Sequence, residues 1–107
     1  MGLKQYYFTA AVAVLYATPA YAQRLPEARG EDLLSQHCAM CHATGRSGTS
    51  PQSKAPPFRM LGRLTLELLQ GPLESGLLSG HPAMPKFVFP QQDVSAILRY
   101  LRSIQER

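Results

Sequence analysis

Cys38-Ala39-Met40-Cys41-His42 gathers two thiols and an imidazole into five residues. A C-x-x-C-H run is the pattern of covalent haem attachment. The thiols can add across the vinyl groups of a protoporphyrin to give thioethers. The two-residue gap makes one helical turn or tight bend, which suits the vinyl spacing. His42 follows directly, so its imidazole can lie under the iron as the proximal ligand. Three rival chemistries share part of the pattern: a redox dithiol, half of a zinc site and a structural disulfide. The chain has no second Cys pair with which to close a zinc site, and it lacks the βαβ context of a dithiol motif. A disulfide across so small a loop would constrain the unfolded chain little. Haem attachment is the reading that uses every residue of the run.

The remaining sequence must export, fold around and complete such a group. Residues 1–22 have the make-up of a cleaved signal peptide. Lys4 is followed by an apolar run from Tyr6 to Ala17, and Ala20-Tyr21-Ala22 predicts cleavage after Ala22. The apolar run is short and is broken by Pro19, so an uncleaved membrane anchor is the weaker alternative. Residues 23–107 then form one small domain, too short for two and thin enough in core to need a staple. Loss of Lys4 lowers the formal net charge from +4 to +3, and haem propionates lower it further. That mild basicity permits docking on an acidic partner. Scattered basic residues, export and the want of a stacking platform argue against nucleic acid.

Several helices are predicted. Pro26 breaks any early helix in the polar stretch 23–29, and a short helix runs from Gly30 to His37, with Glu31 and Asp32 at its positive end. His37 is expected to face solvent. Residues 43–54 have loop composition, and Ala55-Pro56-Pro57-Phe58 is a stiff extended piece. A proline keeps its carbonyl, so Pro56 could accept a bond from His42 Nδ1–H and strengthen the ring as a donor to iron; an ordinary loop proline is the alternative. A second helix is predicted with Thr65 as N-cap and an end near Gly71-Pro72, followed by a turn or short helix over Leu73 to Leu78. Its leucines read as core or haem wall, while Glu67 and Glu74 read as solvent-facing. Val94, Ile97, Leu98, Leu101 and Ile104 follow helical spacing and predict a last helix over Gln91 to Gln105. No strand pattern of convincing length follows residue 22.

Gly80-His81-Pro82-Ala83-Met84-Pro85-Lys86-Phe87 supplies the candidate for the opposite side of the iron. Two prolines bracket Met84 and hold the backbone extended. A thioether fixed there is a natural sixth ligand, and His/Met ligation raises the reduction potential. His81 competes as ligand, Met60 is a third candidate, and Met40 sits inside the Cys bridge on the proximal side.

Taken together these residues resemble a class I cytochrome c, small, exported and bacterial, over nearly all of residues 30–105. The resemblance rests on Cys38 to His42 and on the G-H-P-x-M-P-x-F run from Gly80 to Phe87. It implies an all-α fold of roughly three to five short helices around one covalently bound haem c, with the first and last helices crossing. Gly30 and Leu34 fall where that family has a Gly and a large residue on the first helix, and Tyr100-Leu101 resembles its terminal aromatic-Leu pair. Pro56 resembles the family proline whose carbonyl holds the proximal His. Leu34 replaces an aromatic of many relatives, which predicts looser packing at the crossing, and the short middle of the chain predicts a less covered haem edge.

With His42 and Met84 both on iron, no site is vacant for oxygen or peroxide. The expected role is then a periplasmic one-electron carrier, not catalytic on its own, with an exposed haem edge near Ala39–Met40 and Ala83–Lys86. Its expected partners are a dehydrogenase, oxidase or reductase in transient complexes, and it is expected to be a monomer with no membrane span after cleavage. Lys54, Arg59 and Lys86 are candidate docking charges, with a merely solvated surface as the alternative. A haem peroxidase or ligand sensor follows instead if Met84 dissociates. A subunit tightly bound to a periplasmic dehydrogenase or oxidase is the third reading.

Overall fold

The structure, a computed structural model, describes residues 19–76 and 84–106 together with Gly2, Ala11 and Ala13, and for residues 19–24 the backbone alone. The expected leader therefore lies mostly outside the described residues. Helix α1 spans Pro19–His37, α2 spans Arg63–Ser75 and α3 spans Gln91–Ile104; a 3-10 turn at Phe58–Met60 precedes α2. No strand occurs among the described residues.

The last helix forms where its periodicity places it. Val94, Ile97, Leu98, Leu101 and Ile104 are all buried, giving one apolar face, while Ser95, Arg99 and Arg102 are exposed. Asp93 in its first turn pairs at 2.8 Å with Arg29 of α1. The arginine is largely exposed, so the pair orients the helices more than it stabilises them.

The sequence expectation differs from the structure at two prolines. Helix α1 continues through Pro26 instead of beginning at Gly30. Proline already holds a helical φ and removes one backbone donor, and the flanking Arg24, Leu25, Glu27, Ala28 and Arg29 are good helix formers. Helix α2 likewise begins at Arg63, not after Thr65, and runs past Gly71-Pro72 to Ser75. Its start is fixed by Gly62, whose φ of +79° turns the chain and whose carbonyl accepts from Leu66 N–H at 3.2 Å. At the other end Pro72 cannot donate but still accepts from Gly76 N–H at 2.8 Å. Continuing the helix buries Leu73 on the same face as Leu66, seven residues earlier, which offsets the lost bond. Leu73 to Ser75 are thus the end of α2 and no separate element; residues 77–80 lie outside the described residues.

Helices α1 and α3 cross at Gly30. A Cβ built on Gly30 would collide with the carbonyl oxygen of Ala96 and lie 2.9 Å from Tyr100 Cβ. Close approach is therefore set by the missing side chain and not by the size of residue 34. Leu34, one turn further along α1, is buried at 3% exposure.

Gly30→Ala should lower the Tm of the holo-protein by roughly 5–20 °C, because Ala96 is backbone at the contact and the helices must move apart. Gly71→Ala, where a Cβ meets nothing within 4 Å, should leave Tm unchanged or raise it. Thermal unfolding followed by far-UV circular dichroism separates the two.

Candidate functional site

The end of α1 delivers the Cys motif. Cys38 N–H bonds Leu34 O at 2.8 Å, and His42 N–H bonds Cys38 O at 2.9 Å, so one further turn of chain carries both thiols and the imidazole. The His42 ring is then held on two sides. Its Nδ1 lies 2.8 Å from Pro56 O. A carbonyl only accepts, so Nδ1 carries the proton and Nε2 keeps its lone pair free. Phe58 stacks on the same ring, with centroids 4.5 Å apart at 27°.

Pro56 and Phe58 are in turn placed by long-range bonds that the sequence reading did not contain. Phe58 N–H donates to Ala43 O at 3.0 Å. Gln105 grips the turn from the end of α3: its amide donates to Phe58 O at 2.7 Å, and its Oε1 accepts from Gly62 N–H at 2.8 Å. Tyr100 Oη donates to Thr44 O at 2.7 Å, and Arg46 donates to Ser103 O at 2.8 Å. Arg59 donates to Gly48 O at 2.7 Å and to Glu106 at 3.1 Å. Arg59 is thus a tether of the 43–54 loop, which removes it from the candidate docking charges. No local pattern announces Gln105, since an amide on the last turn of a helix is ordinary in sequence. Burial raises the Tyr100 hydroxyl pKa, with Glu31 adding to the rise and Arg46 opposing it.

Cys38, Cys41, His42 and Met84 all line one cavity of about 580 Å³, within the roughly 300–1,000 Å³ usual for cofactor sites. Leu34, Phe58, Leu69, Leu73, Ile97 and Leu101 form much of its apolar wall. Met40, 87% exposed, and the exposed Lys54 stand at its edge. Met60, the third candidate, is 61% exposed and is not part of the lining. His81, the competing ligand, lies outside the described residues with Pro82 and Ala83.

The donor set separates the rival chemistries. Burial, and to a lesser degree Cys41, pushes the Cys38 thiol from 9.0 up to about 11. A redox dithiol needs the opposite shift. Cys38 and Cys41 are not bonded to each other, and among the described residues no three His, Cys, Asp or Glu side chains cluster as a metal site. Two thiols, one oriented imidazole and one thioether around an apolar slot fit a flat macrocycle carrying iron.

A family profile described as cytochrome c oxidase, cbb3-type, subunit III matches residues 26–101. The chain belongs to that family. It is a c-type cytochrome of class I, all-helical, and an electron carrier that holds a covalently bound haem c. No curated protein and no solved structure matches it. No helix among the described residues is long and apolar enough to cross a membrane.

In this c-type cytochrome the thiols of Cys38 and Cys41 should be consumed as thioethers. The purified holo-protein, unfolded in denaturant without reductant, should take up no alkylating agent, and its colour should stay with the polypeptide. Uptake of two equivalents, with release of the pigment, would contradict the assignment.

Proposed function

We propose that the chain is a periplasmic one-electron carrier whose haem is ligated by His42 and Met84. Residues 1–22 are a cleaved signal peptide and residues 23–107 the single haem domain, a monomer without a membrane span after cleavage. The bound haem supplies the redox chemistry, gaining and losing one electron at its iron.

The carrying observation is that Met84 and His42 line the same cavity while the His42 ring is already fixed through Pro56 and Phe58. Pro56 holds the imidazole in one tautomer, with Nε2 as the free donor atom. Phe58 limits its rotation. Pro85, with its fixed φ, restricts the backbone next to the thioether. These residues keep the ligand shell the same in both oxidation states, so little of the chain has to move when an electron passes. The chain is then a carrier and not a catalyst, because neither face of the group is left for a substrate.

Met40 and Lys54 stand exposed at the cavity edge, which would leave one edge of the group near the surface beside positive charge; Lys86 is exposed but is not part of the lining. Such an edge suits brief contact with an acidic-rimmed dehydrogenase, oxidase or reductase. A second reading follows from the description of the family, which is that of an oxidase subunit. On that reading the same edge faces one permanent oxidase partner, and the protein co-purifies with it in place of running free on gel filtration.

Met84→Ala should abolish the far-red sulfur-to-iron band of the ferric protein, open the sixth position to added ligands and lower the reduction potential. An unchanged spectrum would contradict the ligation. High-spin features already present before substitution would favour a haem peroxidase or ligand sensor.

A further inference from the structure

The segment that carries Met84 returns along the cavity and is tied at several points. Phe89 N–H donates to Leu73 O at 2.9 Å. The aliphatic stem of Lys86 occupies the space that a side chain on Gly76 would need, at a residue whose φ is +120°. Phe87 and Phe89 stack on each other, 6.1 Å apart at 23°. His37, the last residue of α1, then presents its ring to both, 5.6 Å from Phe87 at 61° and 5.5 Å from Phe89 at 72°. His37 is exposed, yet it lines the same cavity as Phe87, Phe89 and Met84. Its ring thus joins the end of the helix that leads into the Cys motif to the segment bearing the thioether.

We propose that His37 is a positioning residue, an edge-on clamp that holds the Phe87–Phe89 ring pair against α1 and thereby keeps Met84 in the cavity. The inference rests on the reading of Met84 as distal ligand. A thioether is a weak donor, so its occupancy depends on how rarely the segment swings away. Edge-to-face aromatic contacts stabilise the closed arrangement beyond simple area burial. Removing the His37 ring loses them while leaving the Leu73–Phe89 bond and the Lys86 stem in place. The open fraction should then rise by about three- to tenfold. An added ligand that enters only the open form gains apparent affinity by the same factor.

The test titrates imidazole into ferric holo-protein at one pH and follows loss of the far-red band. His37→Ala and His37→Gln should each bind imidazole about three- to tenfold more tightly than the wild type, and His37→Phe should stay within about twofold of it. His37→Gln keeps bulk without a ring and guards against a fault peculiar to alanine. Equal imidazole affinity in all four proteins would overturn the clamp, as would a His37→Phe variant that binds imidazole as tightly as His37→Ala. Met84→Ala is run beside them. If it retains the far-red band, the ligation reading fails; if it loses the band while the His37 variants match the wild type, the clamp alone fails.

Discussion

The bond from His42 Nδ1–H to Pro56 O is the contact on which the rest of the molecule converges. A proximal imidazole must present Nε2 in one direction and one tautomer, and one hydrogen bond on the far nitrogen sets both. That bond requires Pro56 to sit under the ring, although a glycine- and serine-rich loop separates the two residues. The end of α3 solves this. Tyr100, Ser103, Gln105 and Glu106 each bind backbone or side chain of the loop or of the turn that follows it. Helix α3 therefore does more than cross α1 at Gly30: its last residues and the two that follow it hold the loop and turn that carry Pro56.

A second constraint is the thinness of the core. Leu34, Phe58, Leu73, Ile97 and Leu101 belong both to the buried cluster and to the cavity wall. Each fully buried side chain of this kind contributes about 1.5–3 kcal/mol, but only if its inner face is also kept from water. A covalently held macrocycle in the cavity would provide that cover. Folding and cofactor are thus coupled through the same residues, and the attachment motif acts as the staple that so small a chain otherwise lacks.

What was legible in the sequence is what is local. Cys38 to His42 carries its pattern within five residues, and α3 announces itself by period; Gly30 is reached only through the resemblance to class I cytochromes c. The ends of α1 and α2 were not legible, because local rules at Pro26 and Gly71-Pro72 read as stops. Good helix formers around Pro26 and the burial of Leu73 outweigh one missing donor each. The roles of Gln105 and Arg59 are not legible, since their partners lie 43 to 47 residues away or, for Arg59, also across the loop at Gly48. His37 looked like a solvent-facing residue, and it is exposed; its aromatic neighbours arrive only through the return of residues 84–89.

On the proposed reading His42 and Met84 hold the haem iron from opposite sides, leaving an iron that only passes electrons. Proton NMR of the ferrous holo-protein reads this directly, since a methionine on iron has its ε-methyl carried far upfield by the haem ring current. The account predicts one such methyl resonance, assigned to Met84 and lost in Met84→Ala. A ferrous spectrum without any strongly upfield methyl, or with one that survives that substitution, would contradict it.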